Sequence, residues 1–187
     1  NASGGKDFVL KANSKLSYIL KELPYGKIDK RETGIGATYL ELNCSRNSII
    51  VEPLKFVSKS KSVGKKNVHC YETPEKKIGR TKDRKDLLKD FIQDTSLKPK
   101  KITVVVDLLK PLLEDLVSIE ENLEEYFLLL DEIDSIQKDS SYRNKMEDCI
   151  SVYKNHPEEK RAMISATFIE FHDPDLKEEP LTTFRYD

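Results

Sequence analysis

The segment Tyr126-Phe127-Leu128-Leu129-Leu130-Asp131-Glu132-Ile133-Asp134 places five apolar or aromatic residues directly before three acids within four positions. A continuous apolar run of this length, bounded by polar residues, is typical of a strand buried on both faces of a parallel sheet. The acids cannot remain in an apolar interior, so they should emerge at the carboxyl end of the strand. In doubly wound sheets, ligands bind at that edge.

The position of these acids is compatible with two uses. In an arrangement of the Walker B type, Asp131 would bind Mg²⁺ and Glu132 would polarise an attacking water molecule. Alternatively, the strand simply leads into the amino terminus of a polar helix, where the helix dipole favours acidic residues. The segment by itself leaves both interpretations open.

Further apolar runs alternate with segments of helical length or spacing, and this alternation predicts an α/β fold with a central, mostly parallel sheet flanked by helices on both faces. The predicted strands are Ser48–Glu52, Asn67–Glu72, Lys101–Val106, Tyr126–Leu130 and Arg161–Ser165. The predicted helices are Phe8–Leu23, Leu54–Val63, Arg84–Gln93, Leu108–Val117 and Ser135–Tyr153.

The length of 187 residues suits one domain with a substantial core. We expect a disordered, tag-like amino terminus at 1–6, the folded domain at 7–171, and a tail or linker at 172–187. That last stretch is acidic, contains Pro174 and Pro180, and lacks a sustained apolar period. The net charge of −1 excludes a protein that attracts nucleic acid through its overall charge, so any such contact must come from a local patch.

Apolar runs are far shorter than the roughly 20 residues that a membrane helix needs, so we expect no membrane partner. The three cysteines, Cys44, Cys70 and Cys149, are far apart and form no CxxC pair. This pattern suits neither a disulfide framework nor a zinc site, and it predicts a reducing, cytoplasmic location.

A second apolar strand, Arg161-Ala162-Met163-Ile164-Ser165-Ala166-Thr167, ends in small residues about thirty positions after the acids. With one long helical segment between them, the two strands resemble motifs II and III of superfamily 2 helicases of the DEAD-like kind. Asp131-Glu132-Ile133-Asp134 differs from Asp-Glu-Ala-Asp at one position. The resemblance implies a RecA-like P-loop NTPase fold. It also implies that the nucleotide state is coupled to the binding of nucleic acid by Asp134, Ser165, Ala166 and Thr167.

Upstream, Thr33-Gly34-Ile35-Gly36-Ala37-Thr38 resembles the phosphate-binding loop of that family, which reads Thr-Gly-x-Gly-Lys-Thr. The resemblance implies that these six residues bind nucleotide and that Thr38, together with Asp131, binds the metal. Ala37 stands where the family has its lysine, so the charge that neutralises the phosphate is missing. As a hypothesis, Lys27 or Lys30 supplies that charge instead.

Between these motifs, Asn47-Ser48-Ile49-Ile50-Val51-Glu52-Pro53 is similar to motif Ia, after which helicases contact the nucleic-acid backbone. The similarity makes Pro53 and Lys55 candidate nucleic-acid contacts. The basic stretch 59–66 that follows is open to two interpretations, a solvated loop or a contact with phosphates.

The resemblance implies an ATP-binding, Mg²⁺-dependent helicase or translocase fragment that acts on DNA or RNA with a second RecA-like domain, and Glu132 as its catalytic residue. Because Ala37 removes a phosphate-binding charge, we expect little or no turnover by this domain alone. The alternative is a degenerate, non-catalytic domain that serves as a nucleic-acid or protein interaction module. A nucleotide-binding fold of another lineage is a third interpretation.

Overall fold

A computed structural model describes residues 5–72, 82–132, 143–167 and 173–187 of the chain. Over these residues, eight strands form one sheet. In chain order the strands are β1 (Asp7–Leu10), β2 (Gly26–Asp29), β3 (Asn47–Glu52), β4 (Val68–Tyr71), β5 (Lys101–Val105), β6 (Tyr126–Asp131), β7 (Arg161–Ser165) and β8 (Leu181–Tyr186).

The sheet has the order β1-β8-β2-β7-β6-β3-β5-β4, and every neighbouring pair is parallel. Strand β6 lies in the middle of the sheet between β7 and β3, and all six of its residues are buried. A central strand of a covered parallel sheet has no contact with water, which explains its continuous apolar run. Because all strands share one direction, the carboxyl ends of β2, β7, β6 and β3 meet at one edge.

Helices cover both faces of the sheet. They are α1 (Ala37–Asn43), α2 (Lys55–Ser62), α3 (Arg84–Gln93), α4 (Val106–Ser118), α5 (Arg143–Asn155) and α6 (Pro174–Glu178). The helices α4 and α5 pack against each other on one face. On the opposite face, α1 buries Leu40 and Leu42, and the backbone of Ser58 in α2 accepts a hydrogen bond from Thr103 in β5.

The apolar core consists of two layers, one on each face of the sheet. Along β6, Leu128 and Leu130 belong to the layer under α4, whereas Phe127 and Leu129 belong to the layer under α1. This alternation follows from the period of two in a strand, because successive side chains point to opposite faces. Each layer therefore draws residues from every second position of the central strands.

The predicted fold class is confirmed: the protein is α/β, with a parallel sheet flanked by helices on both faces. Each of the five predicted strands is present with bounds shifted by at most one residue at either end. The predicted helices at Leu54–Val63, Arg84–Gln93 and Leu108–Val117 correspond to α2, α3 and α4. The first part of the predicted helix Ser135–Tyr153 lies outside the described residues, and its remainder is in α5.

The predicted helix Phe8–Leu23 is wrong. This segment contains strand β1 and a short 3-10 turn at Leu16–Tyr18. Asn13 has a left-handed φ of 64°, which interrupts any helix, and Asn is one of the few residues that adopts this conformation readily. The helical spacing of the apolar residues therefore reflected a strand and a turn that bury Leu10 and Leu16 in the same layer.

The stretch 172–187 is expected to be a tail or linker, but its described residues, 173–187, contribute secondary structure to the domain. Pro174 occupies the first turn of α6, where proline is favoured, and the Asp173 side chain caps that helix. Strand β8 follows and lies between β1 and β2 in the sheet. The sequence of β8 buries Thr182 and Phe184 at every second position, a short strand pattern within an acidic, proline-containing stretch.

Substitutions in strand β8 test directly whether the carboxyl-terminal stretch packs against the rest of the domain. Phe184 is fully buried and stacks on Phe8 with ring centroids 5.1 Å apart, whereas Leu181 in the same strand is 43% exposed. We predict that Phe184→Ala lowers the free energy of unfolding by about 3–5 kcal/mol, as for other buried aromatic residues, in urea denaturation. The matched control Leu181→Ala should cost less than about 1 kcal/mol. Equal, small losses in both variants would show that the carboxyl-terminal stretch is not packed.

Candidate functional site

The glycine loop lies between the end of β2 and the start of α1, at the edge where the carboxyl ends of the central strands meet. Gly34 and Gly36 both have left-handed φ angles, 76° and 87°. A Cβ atom at Gly34 would meet no other atom within 4 Å, so the backbone conformation rather than lack of space requires glycine here. The strand, loop and helix thus expose the loop backbone toward a cleft.

The glycine loop and the acids after β6 line the same cleft, which has a volume of about 420 Å³. The hydroxyl of Thr38 donates a hydrogen bond of 2.5 Å to Asp131 Oδ2. A metal site shared by Thr38 and Asp131 requires these two segments, 93 positions apart, to meet at one edge of one sheet, and they do. Gly34, Ile35, Gly36 and Ala37 also line this cleft, whereas Thr33 lines a neighbouring cavity beside Lys15.

One of the two lysines suggested as substitutes for the missing charge lies in the cleft. Lys30, directly after β2, is buried; its ammonium group donates to Glu132 and lies 3.9 Å from Asp131 Oδ1. Lys27 instead donates to the backbone oxygen of Lys177 at 2.7 Å and does not line the cleft. Ala37 lines the cleft without a charge, so of Lys27, Lys30 and Ala37 only Lys30 brings a cation into the cleft.

Glu132 is held in an unusual backbone conformation at the mouth of the cleft. Its φ angle is 53°, in the left-handed region that non-glycine residues rarely adopt. Such strain persists only where the surrounding structure imposes it, and it is concentrated at functional sites. The side chain is 32% exposed, so its carboxylate lies between the Lys30 ammonium and solvent. This placement suits a group that orients a water molecule.

The structure adds two residues to the site that the sequence analysis did not assign to it, Glu52 and Lys61. Glu52 is the last residue of β3 and is fully buried, and Lys61 lies in the last turn of α2. The Lys61 ammonium donates to Glu52 Oε1 and, at 3.1 Å, to Asp131 Oδ2. The sequence could have predicted a place for Glu52 in the site, because Glu52 is the last residue of its strand, as Asp131 is of β6.

Both carboxylates retain an unused acceptor. Glu52 Oε2 and Asp131 Oδ1 are buried and have no hydrogen-bond partner among the described residues. Burial, and then the neighbouring charge of Asp131, raise the pKa of Glu52 to about 7, although Lys61 opposes this shift. The cleft therefore combines three acids with two lysines and leaves acceptor oxygens that point to a further cation or proton.

The remaining predicted site residues lie at different distances from the cleft. Pro53 lines it, but Lys55 at the start of α2 is exposed on the surface. Ser165 ends β7, between β2 and β6, where its backbone oxygen accepts from Lys30 N and its hydroxyl accepts from Thr167 N. Ala166 and Thr167 follow the strand and do not line the cleft. Asp134 lies outside the described residues.

No protein-family model and no curated protein matches the chain. The interpretation of the cleft therefore depends on its geometry and chemistry. Within the described ranges, no cluster of three or more His, Cys, Asp or Glu side chains is arranged to hold a metal ion. None of the helices in those ranges combines the length and apolar character of a membrane span.

The raised pKa of Glu52 predicts a pH dependence of stability. The folded chain holds the Glu52 proton up to pH of about 7, whereas the unfolded chain releases it near 4.5, so the fold binds more protons between these values. We predict that the free energy of unfolding of the wild-type chain falls as the pH rises through this window. Glu52→Gln should remove that part of the fall, as measured by urea denaturation in buffers that contain EDTA.

The control for this measurement is Glu114→Gln on the exposed side of α4, which should keep the wild-type profile. A Glu52→Gln profile that still falls like the wild type between pH 4.5 and 7 would contradict the assignment of the raised pKa to Glu52.

Proposed function

We propose that this chain is the first RecA-like domain of a superfamily 2 helicase-like NTPase and that it binds Mg²⁺-ATP in the cleft between the glycine loop and the acids of β6. The contact between Thr38 and Asp131 carries this proposal, because it joins a hydroxyl in the first turn of α1 to a strand-end carboxylate beside left-handed glycines. A hydroxyl and a carboxylate at this position are the protein ligands that Mg²⁺-nucleotide sites use.

Lys30 takes the role that the missing lysine would have at Ala37. Its ammonium is already in the cleft and its side chain is only 7% exposed, so its charge acts more strongly on a phosphate than that of a surface lysine would. At present it neutralises Glu132. A phosphate group in the cleft would compete with this carboxylate for Lys30, and release of Glu132 would leave it free to orient water.

The residues present suit a magnesium ion that is shared between protein and phosphates. Mg²⁺ usually binds proteins through one or two carboxylates and completes its shell with water and phosphate oxygens. Thr38 and Asp131 would hold it, and the unpartnered Asp131 Oδ1 supplies a free acceptor. When bound, the ion would neutralise charge on the phosphates. In this scheme Glu132 is the catalytic residue, which accepts a proton from the attacking water.

The rest of the proposed activity depends on partners. We assign Ser165, Ala166 and Thr167 to coupling because β7 lies between the strand of the glycine loop and the strand of the acids. Pro53 and Lys55 are assigned to contacts with DNA or RNA. A second RecA-like domain would supply arginines for the transition state, so we expect weak or no turnover by this chain alone. A cytoplasmic location belongs to the same proposal.

One observation favours a second candidate, a degenerate domain that serves as an interaction module. The acids of the cleft are already paired, Glu132 with Lys30 and Glu52 with Lys61, and Ala37 provides no charge to the loop. Such pairing would stabilise the fold without any nucleotide. The two candidates differ in whether ATP and Mg²⁺ bind, so ligand-induced stabilisation separates them.

We predict that Mg²⁺-ATP raises the melting temperature of the wild-type chain, since a ligand at 100 times its Kd adds about 2.7 kcal/mol to stability. The increase should be smaller with ATP and EDTA. Asp131→Asn should abolish the difference between these two conditions, because Asp131 holds the metal. Each variant is compared with itself without ligand, so a change in its basal stability does not enter the result. No shift in the wild-type chain would favour the module.

A second prediction separates the two candidate lysines. Lys30→Met should weaken the affinity for a fluorescent ATP analogue about tenfold to a hundredfold, the worth of a hydrogen bond between charged groups. Lys27→Met is the matched control and should bind like the wild type, because its ammonium contacts the backbone of Lys177 outside the cleft. Equal affinities in both variants would show that Lys30 does not contact the phosphates.

A further inference from the structure

Lys61 occupies a position between two buried carboxylates that come from different strands. Its ammonium donates to Glu52 at the end of β3 and to Asp131 at the end of β6. The two strands are neighbours with Val51 opposite Leu130, so the next residues, Glu52 and Asp131, lie side by side. Both point to the face covered by α1 and α2, since Ile50 and Leu129 two positions earlier belong to that layer.

The lysine does not satisfy this pair. Glu52 is fully buried and Asp131 is 2% exposed, yet Oε2 of the first and Oδ1 of the second have no hydrogen-bond partner among the described residues, and the Lys30 ammonium lies 3.9 Å from Asp131 Oδ1. An unsatisfied buried acceptor is costly, and native structures contain few of them. Glu52 and Asp131 both line the cleft and each has one such oxygen. The pair can therefore bind a cation that coordinates several oxygen atoms at once.

We propose that Glu52 and Asp131 together form a divalent-cation site and that the Lys61 ammonium is a tethered cation that the metal ion displaces. This inference deepens the proposed function, on which it rests, by adding Glu52 as a second carboxylate. Hard divalent cations such as Mg²⁺ and Mn²⁺ prefer carboxylate oxygens. Without a metal ion, two adjacent buried carboxylates would repel each other, and Lys61 offsets part of that cost.

The attachment of α2 explains how the exchange can occur without unfolding. Ser58, one turn before Lys61, is buried, and its backbone oxygen accepts a hydrogen bond of 3.1 Å from Thr103 in β5. Lys61 itself is 19% exposed, and its long side chain lies at the end of the helix. The ammonium can therefore turn toward solvent while the helix keeps its contact with the sheet. Loading of the metal would add one exposed positive charge beside Lys59 and Lys65.

The test is a titration of the nucleotide-free chain with Mn²⁺, in which electron paramagnetic resonance measures the concentration of the free ion. We expect Lys61→Met to bind Mn²⁺ at least about tenfold more tightly than the wild type, because the competing charge is gone. Glu52→Gln should bind about tenfold more weakly. Lys59→Met is the matched control, since Lys59 is exposed on the same helix and pairs with Glu72; its affinity should not change.

Equal or weaker Mn²⁺ binding by Lys61→Met, with an unchanged circular dichroism spectrum, would overturn the exchange. If that variant does not fold, the wild-type chain decides the question through the NMR signal of the Lys61 ammonium. Added Mg²⁺ should abolish its protection from exchange with water, and continued protection at saturating Mg²⁺ would overturn the proposal.

The same samples separate this inference from the proposed function. If Lys61→Met has the Mn²⁺ affinity of the wild type, and Mg²⁺-ATP still raises the melting temperature of the wild type, the exchange at Lys61 is contradicted and the proposed nucleotide site is retained. If that variant binds Mn²⁺ more tightly, but Mg²⁺-ATP does not change the melting temperature of the wild type, the carboxylate site is supported and the proposed nucleotide site is contradicted.

Discussion

The buried charge of Asp131 is the constraint on which the rest of the site depends. Its side chain is 3% exposed, and a carboxylate removed from water to this extent is tolerated only if it is paired and hydrogen-bonded. Its partners come from three separate segments: Thr38 from α1, Lys61 from α2, and Lys30 after β2. The contacts of one buried charge at the end of the central strand thus bring α1, α2 and the segment directly after β2 together at the same edge of the sheet.

The same constraint explains why the glycine loop, which has the uncharged Ala37 at its end, can still lie beside a cation. A charge in a cleft need not come from the loop itself, because any side chain that reaches the same edge can supply it. Lys30 reaches it from the end of β2, where its backbone N–H bonds to Ser165 of the adjacent strand. The position of Lys30 is therefore set by the sheet, whereas a lysine at position 37 would be set by the helix.

Prediction of the fold from sequence succeeded in the centre of the sheet and failed at its β1 edge. Strands β3 and β6 contain continuous apolar runs, Ile49–Val51 and Tyr126–Leu130, because both of their faces are covered, and such runs are easy to recognise. Strands β1 and β2 have only four residues each, and β8 mixes exposed and buried residues, so none of the three has a long apolar run and none was predicted as a strand. The burial of Phe184 depends on the stacking of Phe8 from the other end of the chain, a contact that local patterns do not contain.

The sequence by itself determined the parallel α/β architecture and the acids at the end of β6, because both follow from the local spacing of apolar and charged residues. Only the tertiary structure decided which lysine enters the cleft and that Glu52 and Lys61 belong to it. Lys27 and Lys30 are equivalent as sequence, and Lys61 is one of several lysines in a basic stretch. Their roles differ because the register of parallel strands and the placement of α2 bring distant residues within reach of one buried carboxylate.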